Sequence, residues 1–155
     1  MTTDLGTGMT VLTADACWQL LRDTEVGRLA VVIGDHPDIF PINHIVDHGT
    51  LVFRSAEGTK VAGAVPDRPV AFEVDGYEAA SGEAWSVIVK GQATRIEQMH
   101  ELFEASELPL FPWHATPKQH FVRIVPEEIS GRRFRVVDPC QRGARGTTVR
   151  SAAAE

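Results

Sequence analysis

The chain has 155 residues, 43% hydrophobic and 23% charged, with a formal net charge of −6. That length suits a single domain with a core of its own. The acidic balance excludes the basic field that nucleic acid or an anionic membrane surface requires, and no apolar run approaches the ~20 residues of a membrane span.

In chain order, the first ten residues, MTTDLGTGMT, read as a flexible N-terminus without a secretory leader, which needs a basic region ahead of an apolar run. Thr13 caps a helix over ADACWQLLRD, where Cys17, Trp18, Leu20 and Leu21 fall at helical spacing. After Gly27, RLAVVI is a strand, GDHPD a turn and IFPINHIV a second strand. Alternation sends Phe40, Ile42, His44 and Val46 to one face and Pro41, Asn43 and Ile45 to the other. Pro41 has no N–H, so it belongs at an edge, a bulge or an unpaired position. DHG turns the chain into a third strand, TLVFRS, and GTKVAGAV is a short helix stopped near Pro66.

RPVAFEVDGY is a fourth strand and AWSVIVKGQATRI a fifth. In the fifth, Trp85, Val87, Val89, Gly91 and Ala93 oppose Ser86, Ile88, Lys90, Gln92 and Thr94. EQMHELFEASEL is a second short helix, followed by the proline-rich loop PLFPWHATPK. HFVRIVPEEISGRRFRVV reads as two strands joined around Pro126 to Gly131. The polar, Gly-rich end, 139–155, reads as a mobile tail, leaving 11–138 as the domain. Short alternating strands with helices only at connections point to a mainly β, antiparallel, closed or nearly closed barrel.

VFRSAEGTK has the composition of an anion site. Arg54 and Lys60 bring charge, Ser55 and Thr59 hydroxyls, and Gly58 permits close backbone approach. It serves equally as a strand end with Ser55 capping a helix and Lys60 solvated, and it lacks the glycine–lysine loop of the P-loop proteins. His44 and His48 are separated by a turn, so no shared metal is expected, and no nucleophile elbow is present. Cys17 and Cys140 match no metal or redox spacing; a buried inert thiol at Cys17 and a cytoplasmic location are expected.

The strings GRLAVV, PDIFPINHIV, GTLVFRSAEGTK and ISGRRF, in that order, resemble the pyridoxamine-phosphate-oxidase-like flavin-binding proteins. The small actinobacterial and nitroimidazole-reductase-like members are the most similar, and the resemblance runs from the first helix to Phe134. It implies an antiparallel six-stranded split β-barrel with short flanking helices. It also implies a homodimer holding FMN, or alternatively a deazaflavin, in a groove between subunits.

On this resemblance Pro41, Ile42, Asn43 and His44 run past the flavin ring, while Arg54, Ser55, Thr59 and Lys60 grip the phosphate, with Gly58 permitting the turn. Ser86 and Lys90 lie near the ring, and Trp113 either covers the flavin from the partner subunit or anchors its own loop. Val61 stands where the family often has another basic residue, and Arg132 and Arg133 do not match the substrate clamp of the longer true oxidases. The implied function is therefore an FMN-binding oxidoreductase acting on a small substrate. A deazaflavin-dependent reductase and a non-catalytic cofactor- or tetrapyrrole-binding barrel are the alternatives. A flavin carries hydride chemistry itself, so no catalytic acid or base is assigned.

Overall fold

A computed structural model of the chain describes residues 2–4, 8–55, 60–109 and 120–136. Its strands are β1 (Thr2–Asp4), β2 (Met9–Val11), β3 (Val26–Ile33), β4 (His36–Asp47), β5 (Thr50–Ser55), β6 (Arg68–Glu78), β7 (Glu83–Arg95) and β8 (His120–Arg135). The helices are α1 (Ala14–Asp23), α2 (Lys60–Ala64) and α3 (Met99–Glu107).

All pairings are antiparallel, in the order β1-β2-β8-β5-β4-β3-β6-β7, and β7 also pairs with β8. Strands β3 to β8 thus close into the expected six-stranded split barrel, and the β1–β2 pair extends β8 on the outside. Strands β1 and β2 lie in and just beyond the first ten residues. The expected tail, 139–155, lies outside the described residues.

The alternation legible in the strands fills the barrel. Leu29 and Val31 of β3, Leu51 and Phe53 of β5, Phe72 and Val74 of β6, Val87 and Val89 of β7, and Ile124 of β8 form one buried core. The Thr13 hydroxyl accepts from the Ala16 N–H at 3.2 Å and starts α1, whose Cys17 and Leu21 are buried one turn apart. Helix α1 packs on β4, β7 and β8. Gly131 makes room for it: a Cβ there would meet the Cys17 Sγ at 2.5 Å and Leu12 at 3.1 Å. A smaller cluster, Val52, Ile96, Ala105 and Phe121, lies outside the barrel beneath α3.

Two expectations are corrected. The β3–β4 turn is only Gly34 and Asp35, both at positive φ, so His36 to Asp38 already belong to β4. The last strand is not broken at Pro126–Gly131. It runs unbroken as β8, and its register against β7 slips between Lys90↔Glu128 and Gly91↔Pro126, leaving Glu127 as the extra residue of a bulge. The bulge accommodates a proline that has no N–H for the ladder. Gly91 opposite is required by the close approach, since a Cβ would sit 2.9 Å from Pro126 Cα and strike the Val125 carbonyl oxygen. Gly91→Ala is expected to lower unfolding stability by about 1–3 kcal/mol, read as an earlier urea midpoint with unchanged slope.

Candidate functional site

Strand β4 outruns its neighbour. β5 pairs with it from Asp47↔Thr50 to His44↔Phe53, so from Ile42 back to His36 that edge of β4 has no partner strand among the described residues. The His44 N–H donates to the Glu25 carbonyl at 3.2 Å, toward the β3 side. Backbone groups alternate sides along a strand, so those of Ile39 and Pro41 face the other way, toward the open edge. Pro41, the residue without an N–H, stands in that phase and pairs only with Arg28 of β3. Of the edge, bulge or unpaired positions expected for it, Pro41 takes an edge.

Side-chain alternation sends Pro41 and Asn43 outward and Ile42 and His44 inward. One strand over, Arg54 points outward in phase with Asn43, and its guanidinium lies over the Phe121 ring at 5.4 Å. Ser55, the last residue of β5, turns inward and is buried. Lys60 opens α2 beyond the strand end. Gly58, Thr59 and Trp113, and the side chain of Lys60, lie outside the described residues.

The structure therefore brings Pro41, Asn43 and Arg54 onto one outer surface at the open edge. Ser86 and Lys90 also face outward, on β7, but β3 and β6 intervene between them and β4. Asn43 pairs with Val26, and in phase Val26 precedes Asp75, which pairs with Ser86. Three strand intervals make that separation about 14 Å around the surface. Lys90 is engaged with Glu128, its Nζ 3.4 Å from the carboxylate.

The side chain of His44 packs as a histidine of the barrel wall. Its Nε2–H donates to the Leu21 carbonyl at 2.8 Å, and the ring meets the Phe72 ring edge-on with centroids 4.8 Å apart. Nδ1 is buried with no hydrogen-bond partner among the described residues. The imidazole is thus a neutral strut between the end of α1 and the barrel wall. Burial pushes its pKa down, and the bond to the Leu21 carbonyl offsets only part of that. Burial likewise pushes the Cys17 thiol up, consistent with an inert core thiol.

Two residues that shape this corner escaped the sequence reading. Phe121 is the platform for Arg54, and nothing in HFVRIV distinguishes it from an ordinary strand aromatic. Arg123 ties β8 to the β4–β5 corner through Asp47 at 3.0 Å and the Thr50 hydroxyl at 2.6 Å. Among the described residues no three His, Cys, Asp or Glu side chains stand together as a metal site, and no helix is long and apolar enough to cross a membrane.

The depressed His44 pKa gives a directional prediction. At pH above about 6.5 the imidazole is neutral in both folded and unfolded chains. As pH falls from there toward the lowered folded value, only the unfolded chain takes up the proton, so stability drops by up to ~1.4 kcal/mol per pH unit. Denaturation from pH 6.5 to 5 is expected to show this loss, and His44→Gln to flatten it.

The family described as pyridoxamine 5'-phosphate oxidase matches residues 13–133. The FAD binding protein from Mycobacterium smegmatis is similar in structure, with a TM-score of 0.73 and 39% identity, covering 82% of this chain and 99% of that one. A conserved protein of unknown function from Corynebacterium diphtheriae gives 0.70 and 35%, covering 82% and 98%. An uncharacterized protein of Mycobacterium tuberculosis is 46% identical over 91 residues, which is 59% of this chain and 81% of that protein.

Proposed function

The chain belongs to the pyridoxamine 5'-phosphate oxidase family, and from that premise we propose that it is a flavin-dependent oxidoreductase acting as a homodimer on a small organic substrate. The observation that carries this reading is the open edge of β4 beside the Arg54 end of β5. A flavin ring has a polar edge of alternating donors and acceptors, which suits a strand edge with no strand to pair it. Its phosphate suits a guanidinium already placed on an aromatic face, with Lys60 six residues further on.

In this reading Pro41 withholds the N–H that a competing strand would need and keeps the edge for a ligand. The backbone from Ile39 to Asn43 orients the ring, Arg54 and Lys60 hold the phosphate, and residues 11–138 form the binding unit. The bound flavin supplies the hydride chemistry. FMN is the cofactor the resemblance implies; the FAD named for the M. smegmatis relative supports a dinucleotide flavin as the second choice. A deazaflavin and a non-catalytic binding barrel are the remaining readings.

The dimer is supported by an apolar outer face on β3, β4 and β6. Val32 is 55% and Ile39 66% exposed there, beside a groove of about 480 Å³ whose lining includes Ala30, Pro37, Pro69 and Ala71. Sedimentation is expected to give a dimer that Ile39→Asp converts to monomer; an unchanged dimer would remove this face from the interface.

Visible absorbance of the purified protein, followed by titration with FMN, FAD and a deazaflavin, tests the cofactor. Each charge-assisted hydrogen bond contributes roughly 1.5–3 kcal/mol, so Arg54→Ala with Lys60→Ala is expected to weaken flavin binding on the order of a hundredfold or more. Equal affinity in that double variant would overturn the phosphate assignment.

A further inference from the structure

The outer surface carries a second hollow, of about 300 Å³, near the β6–β7 turn. Register sets Tyr77 opposite Ala84 and Ala84 opposite Phe134, so two aromatic side chains flank a single methyl group in one row. In the next row Asp75, Ser86 and Arg132 stand in the same arrangement with polar groups. Strands once removed are about 9.5 Å apart, which leaves room for one planar ring between aromatics rooted on β6 and β8.

Tyr77 is 61% and Phe134 40% exposed, and the ring contact among the described residues is His44 with Phe72, so neither wall is spent on another aromatic. The roots of the walls are held together. The Gly82 N–H donates to the Glu78 carbonyl at 2.8 Å, and the Val136 N–H to the Gly82 carbonyl at 2.7 Å, tying the hairpin turn to the end of β8.

The polar end of the slot fixes the ligand class. Arg28 bridges Glu73 at 3.0 Å and Asp75 at 3.1 Å, and Arg132 stands across Ser86 in the same row, so two cations and two carboxylates meet there. The hydroxyl of Ser86 lies beside them in the lining. Such an end is balanced in charge and offers the carboxylate of Asp75 and the hydroxyl of Ser86 as acceptors to a donor group. We propose that this slot binds a planar heteroaromatic ring bearing an exocyclic amino donor, as an aminopurine does. The ring stacks between Tyr77 and Phe134 over Ala84, with its amino edge toward Asp75 and Ser86. Two sources share this chemistry: the adenine half of a dinucleotide flavin, which rests on the cofactor reading above, and a free amino-heteroaromatic substrate, which does not.

Adenosine, which has no phosphate for the Arg54 corner, is the probe. Added to FMN-loaded protein and followed by amide ¹H–¹⁵N shifts, it is expected to give saturable changes around 75–86 and 132–136. Ala84→Leu fills the floor and is expected to abolish them while the thermal melt stays cooperative. Phe134→Ala is expected to weaken binding about tenfold. Absence of shifts, shifts confined to other regions, or equal affinity in both variants would overturn the slot. Repeating the titration on FAD-loaded protein separates the sources: exclusion of adenosine assigns the slot to the cofactor's own adenine, and admission assigns it to a free ligand. Should visible absorbance show no flavin uptake, the cofactor reading fails by itself, and the same shifts on the flavin-free chain decide the slot.

Discussion

Closing six strands into a ring forces their register to climb, and the rest of this architecture follows from that constraint. Stepping from Arg54 through β4, β3 and β6 in phase arrives on β7 at Ser86, whereas stepping through Phe121 of β8 arrives at Ile96. Strand ends therefore cannot lie level. β4 extends past the end of β5, and β8 exchanges one edge partner, β5, for another, β2. The stretch of β4 left without a partner strand among the described residues is thus a by-product of closure, and Pro41 falls within it.

Charge is arranged to keep the interior neutral and the exterior locally balanced. His44, buried against Leu21 and Phe72, is held toward its uncharged form by that burial. On the outer face Arg28, Lys90 and Arg123 each sit within reach of a carboxylate. Such exposed pairs contribute little to stability, but they take these cations out of contention for an anion. In a chain of net charge −6, the proposed phosphate site would then depend on cations concentrated at one corner.

Much of this was legible in the residues. Thr13 announced α1, and the strict alternation of β7 separated its buried from its outward positions correctly. For β4 the same alternation placed Pro41 and Asn43 opposite His44, but inward or outward depends on which face meets the core, and that is a tertiary fact. The bulge at Glu127 was invisible because Pro126 and Gly131 in one stretch look like a turn, and only the register against Gly91 shows otherwise. Ser86 and Lys90 look like neighbours of Asn43 in any strand inventory; their separation follows from β3 and β6 lying between, a matter of strand order that local pattern does not encode. Phe121 went unnoticed for a similar reason, since its partner Arg54 lies far away in sequence.

The small cluster beneath α3 has a bearing on endurance. Phe121, on which the Arg54 guanidinium rests, belongs to the satellite group of Val52, Ile96 and Ala105 and not to the barrel interior. So slight a group, capped by one short helix, is the sort of region that opens by itself while a larger core holds. Gentle warming would then loosen the seat of the Arg54 guanidinium ahead of the ring of strands, so this corner would lose its order while the protein is still folded.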